Sequence, residues 1–202
     1  MIEYTVPQNP DDRILKKATD LLNDGKIVVV PTDTNWVMLA NPFHKNGVER
    51  LYKIKGEDKS HHFSVLCSDI SMASEVASIP DYAFRKIRGK IPGHYTFIFA
   101  ATKKIIKALK ASKTDHQIGI RFVPSLLIDR LLEAHGGCLL STNIDRPEAE
   151  EEIFSYQLEE LLRGKVDMII DPGEYEFSGY STIYDFSGDS AELVRVGAGD
   201  LF

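Results

Sequence analysis

The sequence predicts an α/β protein built on a single open, mixed sheet with helices on its faces. Three observations carry that expectation. Short apolar runs alternate with amphipathic segments along the whole chain, as strands do when they trade places with helices. The run Ile27-Val28-Val29-Val30-Pro31 is apolar without interruption, as a strand buried on both faces is. The last two strand-like runs, Ser181–Asp185 and Glu192–Val196, follow one another with no helix between them, so the sheet cannot be wholly parallel.

In order along the chain, Asp11–Asn23 spaces Ile14, Leu15, Ala18, Leu21 and Leu22 on one helical face, with acids in its first turn and Gly25 as a stop. The Ile27–Pro31 strand follows, then the loop Pro31-Thr-Asp-Thr-Asn35 and a strand over Trp36–Ala40. Helix is expected near Lys45–Ile54, strand at Phe63–Cys67, helices near Ile70–Ala77 and Tyr82–Arg88, and strand at Tyr95–Ala100. A lysine-rich helix near Lys103–Leu109 precedes a strand at Ile118–Phe122, a helix at Leu126–Ala134 and a strand at Cys138–Ser141. Tyr156–Leu162 reads as a helix stopped by Gly164, and Val166–Ile170 as a strand.

The 202 residues suit one domain over 1–202, long enough to bury roughly 70% of the surface of the unfolded chain. A content of 43% hydrophobic and 27% charged residues excludes a disordered chain, a collagen-like rod and a coiled coil. No apolar run approaches the ~20 residues that span a bilayer. The start MIEYTVPQNPDDR has no basic region leading into an apolar one, so the expected place is the cytoplasm, with no membrane partner. Cys67 and Cys138 each sit in an apolar stretch and read as reduced core thiols.

The net charge of −6 hides a split. Residues 1–140 carry 20 Lys and Arg against 15 Asp and Glu, whereas residues 141–202 carry 4 against 15. The basic residues group in Arg50–Lys59, Arg85–Lys90 and Lys103–Lys113, segments that either fold onto one phosphate-attracting face or are simply solvated. The phosphate loop GxxxxGK[ST], the GxGxxG fingerprint, HExxH, GxSxG and CxxC are all absent, which removes the main support for those chemistries. The six histidines show no metal-ligand spacing, His61-His62 reads as a polar loop pair, and no metal site is expected.

What the chain does contain is a set of small hydroxyls and lone arginines at strand ends. Thr32-Asp33-Thr34 follows a buried strand, where ligands of open α/β sheets bind. Lys55 ends a helix, Pro92-Gly-His-Tyr-Thr96 leads into a strand, and Ser141-Thr142-Asn143 and Tyr180-Ser181-Thr182 repeat the hydroxyl pattern. Arg121 in IGIRFVP and Arg195 in LVRVG each stand alone among apolar neighbours, and such a guanidinium needs a carboxylate, from the protein or from a ligand. Residue types alone lead to an anion site for carboxylate and phosphate groups.

Taken in order, PTDT, IKG, HHFSVLC, PGHYTFIF, IGIRFVP, LLST, YSTIYD and VRVGAGD resemble the successive motifs of the YrdC/YciO family, from about residue 11 to the end. HHFSVLC and PGHYTFIF resemble the YciO branch more than the YrdC branch. The resemblance implies a single twisted α/β domain with a concave, anion-binding cavity. For the YrdC branch it implies a nucleotidyltransferase that makes threonylcarbamoyl-AMP from L-threonine, bicarbonate and ATP with Mg²⁺, releasing pyrophosphate, for threonylcarbamoyladenosine in tRNA. By position, Thr34, Arg121 and Ser181 would hold the threonine, and Lys55, Asn143 and Arg195 would face the nucleotide, Lys55 also acting in catalysis.

The sequence departs from the synthase pattern where Glu57 replaces the arginine of a Lys-x-Arg pair and Asp145 replaces the asparagine of a Ser-x-Asn pair. At 4 Å from a phosphate, each acid would cost about 4 kcal/mol at an effective dielectric of 20. Trp36, where synthases commonly have tyrosine, is expected to reshape the pocket wall. Two readings follow: a synthase of reduced or altered activity, and a YciO-type protein that binds double-stranded RNA or a nucleotide without efficient synthesis.

Overall fold

The computed structural model describes residues 1–56, 63–109, 116–144 and 153–202. Its strands form one mixed sheet, as the sequence predicts, and the chain order explains the path. The edge strand β1 (Ile2–Tyr4) precedes helix α1 (Asp12–Asn23), then β2 (Val28–Pro31) and β3 (Trp36–Ala40) make a hairpin-like antiparallel pair. Helix α2 (Lys45–Lys55) leads to β4 (Ser64–Leu66), α3 (Ile70–Ser74), β5 (Ala77–Ser78), α4 (Asp81–Ile87) and β6 (Tyr95–Ala101). Next come α5 (Lys103–Leu109), β7 (Gln117–Arg121), α6 (Leu126–His135), β8 (Leu139–Asn143), α7 (Ser155–Leu161), β9 (Met168–Asp171), β10 (Thr182–Asp185) and β11 (Glu192–Arg195). In space the strands run β1-β9-β2-β3-β8-β4-β7-β6-β10-β11, with β5 beside β6.

Strand alternation makes two cores on the two faces of this sheet. Ile27, Val29, Trp36 and Met38 enter the larger core with Val65, Phe97, Phe99 and Ile120. Val28, Val30, Val37 and Leu39 enter the other, under Leu15, Ala18 and Leu22 of α1 and Leu127, Leu131 and Leu132 of α6. The unbroken apolar run of β2 is thus explained by burial on both faces.

The helix ends follow the capping expected of their residues. Asp11 accepts the amide of Arg13 and starts α1, while Ser125 accepts that of Ile128 and starts α6. Gly56, at φ +67°, stops α2 immediately after Lys55 and returns its amide to the Tyr52 carbonyl.

Three expectations need adjustment. The helix expected over Ile70–Ala77 stops at Ser74, because Ala77 and Ser78 pair with Ala101 and Ala100 as β5. The strand expected from Val166 begins at Met168, since Asp167 instead accepts the Ile27 amide and the Arg50 guanidinium. Strand β1 has no sequence signal beyond three residues and exists through its parallel pairing with β9. Cys67 and Cys138 are buried and unpaired, as expected, and burial raises both thiols, that of Cys138 to about 11. Among the described residues no helix is long and apolar enough to cross a membrane.

Candidate functional site

On β4, β7 and β6, Val65, Ile120 and Phe97 turn into the larger core. Their neighbours Ser64, Gly119, Arg121 and Thr96 therefore turn to the opposite face. Gly119 lies between Ser64 and Ile98 in register, and Thr96 beside Ile183 of β10. The small and polar residues leave a hollow on that face, a cavity of about 400 Å³ that includes Thr34, Lys55, Arg121, Asn143, Ser181 and Arg195 in its wall. All six residues singled out in the sequence, from six separate segments, are brought to this one cavity. An apolar bay of about 200 Å³, lined by Ile98, Ile118 and Gly119, adjoins it along Phe63, Ser64, Thr96 and Ile183.

Thr34 is set by the loop after β2. Both the amide and the hydroxyl of Thr32 donate to the Asn35 carbonyl, at 2.9 and 2.8 Å, and its hydroxyl in turn accepts the amides of Thr34 and Asn35. The buried loop faces Arg121 at the end of β7: Arg121 Nη1 donates to Thr34 Oγ1 at 3.0 Å and Nη2 to Asp33 Oδ1 at 2.6 Å. Burial pulls the Arg121 guanidinium below its usual range and Asp33 pulls it back up. Nε of Arg121 is buried with no hydrogen-bond partner among the described residues.

On the other side, Thr96 Oγ1 and Ser181 Oγ are 2.8 Å apart. Arg195 donates to the Ser181 carbonyl from Nε and Nη2, at 3.1 and 2.9 Å, and to its hydroxyl at 3.2 Å. Its guanidinium also lies over the Tyr180 ring, 5.1 Å from the centroid. The strap that follows β11 returns against this site: Ala198 donates to the Tyr180 carbonyl, and a side chain at Gly197 would run into that same carbonyl. Lys55 Nζ donates to the Asn143 carbonyl at 3.2 Å, which ties the end of α2 to the end of β8.

Several expectations are corrected or narrowed by this geometry. Arg121 does meet a carboxylate, that of Asp33, whereas the partners of Arg195 among the described residues are a carbonyl, a hydroxyl and a ring. Trp36 is not part of the cavity wall: its indole is fully buried, packs edge-on against Tyr175 and donates to the Ile153 carbonyl at 2.8 Å. Of the described basic residues in these segments, Lys55 reaches the cavity, whereas Arg50 pairs with Asp167, Lys104 with Glu75 and Lys90 lies over Phe202. Glu57, Asp145, the His61-His62 pair and part of the Lys103–Lys113 series lie outside the described residues.

Sequence reasoning did not assign Ser64 or Thr96 to the site, nor Asp33 and His94 behind Arg121. A signal existed for the first two, as isolated hydroxyls in otherwise apolar strands. Asp33 and His94 stand in loops that the sequence singles out, but nothing in it pairs them, because they are 61 residues apart and meet only in the fold.

Comparison with known proteins identifies the family and the fold. The Sua5/YciO/YrdC family profile, described as "telomere recombination", matches residues 20–197. The uncharacterised protein YciO of Escherichia coli strain K12 is 32% identical over 98% of this chain and 96% of its own. The crystal structure of E. coli YciO superposes with a TM-score of 0.89 at 31% identity, covering 99% of this chain and 97% of that one. A putative threonylcarbamoyl-AMP synthase of Methanocaldococcus jannaschii is 27% identical over 96% of this chain and 90% of its own. The crystal structure of Pyrococcus abyssi Sua5 complexed with L-threonine shares the fold, with a TM-score of 0.83 at 20% identity over 98% of this chain and 57% of that one.

Proposed function

The chain belongs to the Sua5/YciO/YrdC family, and from that premise we propose that its cavity carries out threonylcarbamoyl-AMP synthase chemistry on L-threonine, bicarbonate and ATP. The observation that carries the reading is the gathering of Thr34, Lys55, Arg121, Asn143, Ser181 and Arg195 around one cavity of about 400 Å³. That volume suits a small ligand. Arg121 and Thr34 would grip the threonine carboxylate at the buried end, with Ser181 beside it. Lys55, Asn143 and Arg195 would face the phosphates.

In the reaction the threonine amine takes the carbon of bicarbonate with loss of water. An oxygen of the resulting carbamate then displaces pyrophosphate from the α-phosphorus of ATP. Both steps build charge on oxygen, which preorganised cations and hydroxyls stabilise. Mg²⁺ would arrive held by the ATP phosphates and would offset their charge as pyrophosphate leaves.

The alternative, a protein that binds double-stranded RNA or a nucleotide without efficient synthesis, draws on Glu57 and Asp145. Duplex RNA is engaged by cations spread over many base pairs, and here Arg50 and Lys104 are held in local ion pairs away from the cavity. The test is to incubate the protein with ATP, Mg²⁺, labelled bicarbonate and L-threonine, with Arg121→Ala as control. Label in a threonylcarbamoyl adenylate that the control abolishes supports the synthase. No product, together with RNA binding that weakens steeply with salt, overturns it.

A further inference from the structure

Asp33 lines no part of the cavity, yet it is the group on which Arg121 rests. Its two oxygens are divided between two partners: Oδ1 takes Arg121 Nη2 at 2.6 Å, and Oδ2 takes His94 Nδ1 at 2.8 Å. The side chain of Asp33 is 4% exposed and that of Arg121 6%, while His94, 36% exposed, opens to a second hollow of about 310 Å³ behind the loop. Gly93 sets the histidine there, because a side chain at that position would strike the Lys90 carbonyl.

We propose that Asp33 makes the buried end of the cavity select a carboxylate over a phosphate, and that His94 is the positioning residue that holds Asp33 to this task. A guanidinium offers five N–H donors in a planar fork. In Arg121 one goes to Asp33 and one to Thr34, and Nε has no partner among the described residues. Donors therefore remain for a ligand, but the charge of Arg121 is already balanced by the carboxylate behind it. A monocarboxylate needs little more than the donors. A phosphate dianion needs the charge as well, and beside Asp33 it would meet a carboxylate at short range in a dry site. Arg195, whose partners among the described residues are a carbonyl, a hydroxyl and a ring, stands at the opposite wall with no carboxylate among them. The cavity thus has two unlike ends, and the ligand has one permitted orientation.

This inference rests on the reading of the cavity given above, and the experiment separates the two. Inorganic phosphate and L-threonine are titrated calorimetrically into the full chain as wild type, Asp33→Asn, the double variant Asp33→Asn/Arg121→Ala, His94→Ala and His94→Asn. Asp33→Asn is expected to tighten phosphate at least tenfold, with the gain lost in the double variant. His94→Ala is expected to move phosphate affinity the same way by a smaller factor, and His94→Asn, which retains an N–H for Asp33, to restore it. A role confined to holding the fold together would not raise affinity for one anion. Unchanged phosphate affinity in Asp33→Asn, or a gain that survives removal of Arg121, overturns the proposal. If Asp33→Asn does not fold, the His94 pair decides, and equal phosphate affinity in wild type and His94→Ala overturns it. Failure of the wild type to bind threonine would sink the synthase reading, and the phosphate result would still decide the role of Asp33.

Discussion

Thr96 and Ser181 meet through their hydroxyls at 2.8 Å although they lie 85 residues apart in the chain, and both face the cavity. Thr96 lies on β6 and Ser181 immediately precedes its parallel neighbour β10, and Arg195 adds a third hold by donating to the same Ser181 hydroxyl. The serine is therefore a junction between the floor of the cavity and its charged wall.

Replacing it tests that junction. Ser181→Ala leaves the Thr96 hydroxyl and one Arg195 donor without their shared partner, a change expected to cost about 1 kcal/mol of stability. Threonine affinity should fall about tenfold in the same variant. Urea denaturation and calorimetry check the two effects.

Arg121→Ala should be costly to the fold as well as to binding. It strips the buried Asp33 carboxylate of its 2.6 Å partner and leaves His94 alone to compensate. Loss of one member of a buried pair typically costs about 3–5 kcal/mol. A midpoint in urea close to that of the wild type would show that the pair contributes little.

Lys55→Ala should separate chemistry from threonine binding. Lys55 sits at the end of α2, against the Asn143 carbonyl, and Arg121 holds the other end of the site. Adenylate formation is expected to fall by about 10²–10³ with threonine affinity unchanged. The measurement is single-turnover product formation beside a threonine titration.

Trp36→Phe should leave ligand binding alone, since Trp36 does not reach the cavity. It removes the donor to the Ile153 carbonyl, which Tyr175 also approaches at 3.4 Å, so the cost is expected near 1 kcal/mol. A changed threonine affinity would show that the indole shapes the site from behind.

The two thiols should be silent in the native protein. Burial lifts both, that of Cys138 to about 11, so the reactive thiolate is scarce at pH 8. A thiol reagent at that pH should label neither within minutes, and both once urea unfolds the chain.

The strands and helices were legible where one period dominates for several residues. The uninterrupted run of β2 and the spacing of Leu15, Ala18 and Leu22 in α1 are of this kind. β5, with two residues, was not legible, because so short a segment carries no period and exists through its partner β6. At the site, Arg121 and Arg195 looked alike as lone arginines in apolar strands. One proves buried against Asp33, the other held at the surface by Ser181 and Tyr180. Trp36 looked like a wall residue and is a core residue, because the pleat turns it away from the cavity.

By itself the sequence determined the mixed α/β sheet, the order of its elements apart from β1 and β5, and, through motif order, six of the residues that line the cavity. Those properties are local: side-chain periodicity, capping and motif order are written in neighbouring residues. Only the tertiary structure decided which charges neutralise one another. Asp33 could have met any of several cations, and the fold assigns it to Arg121 and His94, from segments some sixty to ninety residues away. A carboxylate at 2.6 Å changes what an arginine offers a ligand, and that distance is a property of packing across strands which no local pattern encodes.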